Sequence, residues 1–246
     1  MSWKHFRLLI LSAIALFVIL YINTNSLILP SDQPLYKFKQ YVPGSYAAKL
    51  FDIEHFKTQQ ITEFEEANSI NNKFNAIHFS AEKVVERIEK EVFPHWYDTK
   101  YDFNGTTETP GKGKIACGYF VTTVLRDMGV PIKRIKMAQA TSERMIKSMT
   151  DEENIRRFRK TPIKKFVRTI EDMGEGLYVV GLDTHSGFAF YDGIEVRFIH
   201  STARKGIRKV INEKAVTSSS LIRSKYRVIG KISGDEDFVR RWLNAS

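Results

Sequence analysis

Cysteine is almost missing from this chain: Cys117 is the only one in 246 residues. One thiol excludes an intramolecular disulfide and any four-cysteine zinc site. Stability must therefore come from a core, and a hydrophobic fraction of 43% is enough to build one. Internal repeats and low-complexity segments are absent too, which excludes a repeat architecture. Acidic charge is in short supply. Against 38 Lys and Arg stand 28 Asp and Glu, a net charge of +10. That balance favours acidic partners such as nucleic acid, anionic lipid or anionic wall polymers. Basic residues cluster at Arg156, Arg157, Arg159, Lys160, Lys164 and Lys165, and again at Arg204, Lys205, Arg208 and Lys209. Neither cluster interleaves with the aromatics of a single-strand binding groove, so no nucleic acid is expected.

Long apolar runs are also lacking, with one exception. Leu8 to Ile22 is apolar except for Ser12, with Lys4 and Arg7 before it and Asn23 to Ser26 after it. A short basic region followed by an apolar stretch is an export signal. Residues 3–22 approach the length needed to span a bilayer, and no small-x-small cleavage site follows Leu20. The expectation is a signal anchor over 1–24, with a cleaved signal peptide as the alternative. The basic flank puts the N-terminus inside and the remainder in an extracytoplasmic space, periplasm or cell surface.

Residues 25–75 read as a tether and loosely packed extension, with Pro30, Pro34, Pro43 and Gly44 near its start and a stretch over 51–75 that could be helical. A domain over 76–246 follows. Ser80 reads as the N-cap of a helix with Val84, Val85, Ile88 and Val92 at helical spacing, closed by Pro94. A loop rich in Gly and Pro spans Trp96 to Ile115. A second amphipathic helix starts at Cys117 and stops at Gly129. Residues 131–176 read as a basic helical insert. Strands are expected over 177–182, 185–191, 194–200 and 226–232. Helices first and antiparallel strands after define an α+β class.

Cys117 is the candidate nucleophile. A thiol at a helix start sits against the positive end of the helix dipole, which favours the thiolate. Its backbone N–H is one of the unpaired donors of the first turn and can serve an oxyanion. A cysteine nucleophile needs a histidine base, and the base an orienting group. A two-residue turn at Asp192-Gly193 would set His185 directly opposite His200 on one face of a hairpin. That face, with Gly187, Ala189, Val196 and Phe198, reads as buried, and the face with Ser186, Glu195 and Arg197 as wet. A metal site from His185, His200 and a carboxylate lacks a placed third ligand, so neither metal nor cofactor is expected.

The run Tyr101-Asp-Phe-Asn-Gly105-Thr106, then Pro110-Gly111, then Cys117-Gly-Tyr-Phe-Val121, resembles the region around the nucleophile in NlpC-type papain-like cysteine peptidases. His185-Ser-Gly187-Phe-Ala-Phe and Phe198-Ile-His200-Ser201 are similar to that family's next two motifs. The resemblance covers about residues 95–205 and departs from the family in Ala116 before the cysteine and Gly118-Tyr119 after it. It implies a papain-like fold, its nucleophile helix packed on an antiparallel sheet, with Cys117, His185 and His200 as the catalytic set. It also implies that Tyr101, with Gly118 and Gly187, shapes the oxyanion or substrate-binding site, and that the substrate is an amide bond of peptidoglycan stem peptides. A cysteine acyltransferase or amidase on another substrate, and a catalytically inactive membrane-tethered binding protein, are the alternatives. The sequence points to no obligate protein partner.

Overall fold

The computed structural model describes residues 42–204 and 206–244. The expected membrane segment over 3–22 and the tether up to residue 41 lie outside them. Among the described residues, no helix is long and apolar enough to cross a membrane.

Three helical pieces lead the described chain: α1 (Tyr46–Glu66), α2 (Ile70–Arg87) and, after a π-helical turn at Ile88–Val92, α3 (Phe93–Trp96). Ser45 and Ser69 cap the first two, their hydroxyls accepting from the amides of Ala48 and Asn72. Ser80, expected to be a cap, instead lies buried inside α2, where its hydroxyl donates to Gln60 Oε1 of α1 at 3.1 Å. Pro94 does not close that helix either. It sits at the start of α3, where a missing N–H matters least.

Among the described residues, eight strands build one sheet: β1 (Lys100–Tyr101), β2 (Lys114–Ile115), β3 (Ile155–Arg159), β4 (Gly176–Leu182), β5 (Ser186–Tyr191), β6 (Val196–Arg204), β7 (Ile207–Lys214) and β8 (Tyr226–Lys231). Their order is β2-β1-β7-β6-β5-β4-β8-β3, antiparallel throughout except for the short β1–β2 pair. The remaining helices are α4 (Cys117–Asp127), α5 (Arg134–Ala138), α6 (Ser142–Lys147), α7 (Ile163–Asp172), α8 (Ser219–Arg223) and α9 (Glu236–Leu243). The α+β class is as expected.

Both faces of the sheet are covered. On one, Phe188, Ile199 and Val210 pack with Phe120 and Val124 of α4, and the Phe120 and Phe188 rings meet edge to face at 6.0 Å. On the other, Tyr178, Phe198 and Ile229 pack under Phe166 and Ile170 of α7. The wet face expected for the hairpin is therefore a buried one. Ser186 is enclosed, and Arg197 reaches Glu89 at 2.9 Å.

Two domain expectations change. Residues 46–75 are not a loose extension, because Ile53 and Phe56 of α1 lie in the same core as Ile77 and Trp242. The segment 131–176 is not an all-helical insert, because β3 inside it pairs along β8 at the sheet edge. Only Ile155 and Phe158 of β3 are buried. That three-residue spacing among arginines imitates one face of a helix.

Candidate functional site

The path into Cys117 is held from three directions. Ala116 N–H donates to the Gly105 carbonyl at 2.8 Å, folding the loop back on itself. Arg134 is buried and donates through Nε to Thr123 Oγ1 and through Nη2 to the Thr106 carbonyl, both at 2.8 Å, binding that loop to α4. Ser201, next to His200 on β6, donates a buried bond to the Ile115 carbonyl at 2.7 Å. Cys117 then opens α4 behind an extended Ala116 that supplies no side-chain cap. The first-turn N–H groups are left to whatever occupies the space before them.

That space is a cavity of about 260 Å³ whose wall includes Cys117, Gly118, Ala138, Thr141, Ser142 and His185. Gly118 makes the wall possible. A Cβ there would lie 2.6 Å from the Ala138 carbonyl oxygen, so only glycine lets α5 come this close to the helix start.

His185 and His200 meet as expected, but through a different register. The loop between β5 and β6 has four residues, closed by the pair Tyr191–Val196, because Asp192 Oδ1 accepts the amides of Ile194 and Glu195. The pairing moves by two residues, which preserves the face but makes the histidines diagonal neighbours. Gly187 now stands across from His200, and a Cβ on it would lie 2.7 Å from His200 Cβ. The missing side chain leaves the gap through which His185 Nε2 reaches His200 Nδ1 at 2.7 Å. Gly187 is buried and is not in the wall of the cavity that Cys117 and His185 share.

A third member follows. His200 Nε2 lies 3.1 Å from Glu213 Oε1 on β7, and the other carboxylate oxygen takes Arg204 Nη1 at 3.3 Å. Burial works against the Glu213 charge, but the bonds from His200 and Ser218 and the Arg204 charge outweigh it and hold the carboxyl below its usual range. An ionised carboxylate only accepts, so His200 Nε2 carries the proton. His200 is held neutral by burial, which outweighs the Glu213 charge, so its Nδ1 offers a lone pair. His185 Nε2 must donate to it. Nδ1 of His185 is then unprotonated. It makes no hydrogen bond among the described residues, nor is it among the buried atoms left without a partner, so it faces accessible space. Burial first, and the neighbouring His200 second, push His185 down to about 3, so its ring is neutral at neutral pH.

Cys117 is partly exposed and its thiol makes no hydrogen bond among the described residues. Thiol and imidazole share one cavity wall. Tyr101 lines a second cavity, about 320 Å³, that has His185 in its wall as well. Its phenol is pushed up, first by burial and then by the neighbouring Cys117.

Among the described residues, no group of three or more His, Cys, Asp or Glu is arranged to hold a metal ion. Glu213 and Arg134 escaped the sequence reading, and Ser201 entered it only as the last residue of a motif, with no role. The one signal for Glu213 was a carboxylate amid the weak alternation of Ile207 to Lys214. No family model, curated protein or solved structure matches this chain.

Proposed function

We propose that this protein is a cysteine hydrolase of papain-like architecture that cleaves an amide bond through Cys117, His185 and His200. The observation that carries the reading is the chain from Glu213 through His200 to His185, which leaves a proton-accepting nitrogen on a ring that shares a cavity wall with Cys117. His185 Nδ1 takes the thiol proton as Sγ bonds to the carbonyl carbon. The oxygen gathers negative charge against the first-turn N–H groups of α4, with Tyr101 alongside. The C–N bond then breaks, the proton passes from His185 to the leaving amine, and an acyl-thioester remains. Water, deprotonated by the same imidazole, releases the carboxylate and frees the thiol. His200 positions His185, and Glu213 positions His200. The apolar run over 3–22 would tether the enzyme to a membrane with this site outside the cytoplasm, and the net charge of +10 suits an acidic polymer such as peptidoglycan as substrate.

Assay of the full-length chain on purified wall material, with released amines and carboxylates quantified, tests this. Cys117→Ala should abolish release, and His185→Ala should lower it by about 10²–10⁴. Glu213→Gln should lower it by about tenfold and move its pH profile, since it removes the charge while preserving shape. Full release by the Cys117→Ala protein would overturn the reading. An added amine acceptor distinguishes hydrolysis from acyl transfer by the product formed.

A further inference from the structure

Three cavities lie in a row, and the middle one is lined by both Cys117 and His185. The one containing Cys117 shares Leu182 to His185 with the Tyr101 cavity, and shares Ala140 and Met145 with a third of about 280 Å³. The charges in their walls are unequal. Asp183 is the one acid, and its carboxylate is already engaged by the Ser224 hydroxyl and the amides of Lys225 and Tyr226. Cations occupy both outer cavities: Arg223 beside Tyr101, and Lys133, Lys136 and Arg144 at the far end.

None of these four side chains has a hydrogen bond or ion pair among the described residues. Their neighbours are treated differently. Arg126 and Arg134 are matched by Glu108, and Lys147 and Arg157 by Glu143 and Glu152. Those four neighbours are thus neutralised, whereas the four cations that line the outer cavities carry no acidic partner among the described residues. Cavities walled by one sign of charge concentrate ligands of the opposite sign.

We infer that the substrate carries an anionic oxygen group, carboxylate or phosphate, on each side of the reacting carbonyl, one held at Arg223 and the other at Lys133, Lys136 and Arg144. This rests on Cys117 being the nucleophile. It adds to that reading the charge and extent of what is cleaved, and it excludes neutral peptides and uncharged acyl chains as good substrates.

Since Cys117 is the only thiol in the chain, its labelling can be followed by intact mass on the full-length protein. Matched maleimides with a neutral, a carboxylate or a phosphonate tail serve as probes. The anionic tails should label about tenfold faster than the neutral one at low salt, with the advantage shrinking as salt rises. A faster carboxylate or a faster phosphonate tells which oxyanion the cavities prefer. Arg223→Gln and the triple variant Lys133→Gln, Lys136→Gln, Arg144→Gln should each reduce the preference while leaving neutral labelling unchanged. Equal rates for neutral and anionic probes, or a preference that survives both variants, would overturn the inference. Failure of the underlying reading looks different: His185→Ala would leave the neutral rate untouched.

Discussion

At the scale of single residues, the decisive quantity is the protonation of His185. An imidazole taken out of water is penalised when charged, and a second ring 2.7 Å away adds to the penalty. Its value falls from an ordinary 6.5 to about 3. The consequence for stability has a definite sign. Between those two values the unfolded chain binds a proton at this residue and the folded chain does not, so stability rises with pH across the window. It is fully present above 6.5 and is lost progressively as pH falls toward 3. Glu213, held below its usual range, works in the same direction at the acid end. Urea unfolding at a series of pH values should therefore show a decline beginning below about 6.5. The variant His185→Asn, which cannot titrate, should show a shallower one. Identical slopes for the two proteins would mean that the buried ring is not what resists acid. The same neutrality suits a base, since a ring without its proton is ready to take one from the Cys117 thiol.

At the scale of elements, the hairpin of β5 and β6 shows what sequence reading can and cannot reach. That His185 and His200 share a face was readable, because faces alternate with a period of two and a shift by two leaves the face unchanged. Their alignment was not readable. The Asp192 side chain captured the amides of Ile194 and Glu195, a contact that lengthens the turn from two residues to four. The start of α4 at Cys117 was legible from its loop and its apolar spacing, and four of the long strands from alternation. By contrast β7 was hidden, since its burial is shallow and Val210 is its one fully buried residue. With it went Glu213, whose meaning depends on a strand two positions along the sheet from His185. Gly187 gives the element its test. Gly187→Ala would force a Cβ to within 2.8 Å of the Phe198 ring and the Ile199 carbonyl, as well as against His200. Overpacking of this kind typically costs about 1–3 kcal/mol. The variant should unfold at lower urea, and its Cys117 should lose the part of its labelling rate that depends on His185. Wild-type stability together with wild-type labelling would show that the gap at Gly187 is not needed.

At the scale of the whole molecule, the question is whether the N-terminal helices belong to the folded body or merely lead to it. Composition suggested the latter, because residues 51–75 are rich in Glu, Gln and Asn. The apolar residues of α1 are nonetheless well placed. Ile53 is 1% exposed, and the Phe56 ring stands 6.1 Å from Trp242 of α9, near the other end of the described chain. Lys57 Nζ adds a bond to the Gly129 carbonyl at 2.8 Å, just past the end of the helix that Cys117 begins. Tyr46 donates to Asp127 at 2.7 Å and accepts from Trp96 Nε1 at 3.0 Å, fastening the first turn of α1 to the last turn of the same helix. These contacts place α1 against the far end of α4, so that loosening one loosens the support of the other. Ile53→Ala should then destabilise the protein by about 2–5 kcal/mol, the range for a buried large-to-small change. Ile70→Ala, at a position 87% exposed, should stay within about 0.5 kcal/mol of the parent. Chemical denaturation followed at Trp242 and by Cys117 labelling should give coincident transitions for both variants, shifted only for the first. If Ile53→Ala left the midpoint unchanged, α1 would be a passenger and the supported body would begin at α2.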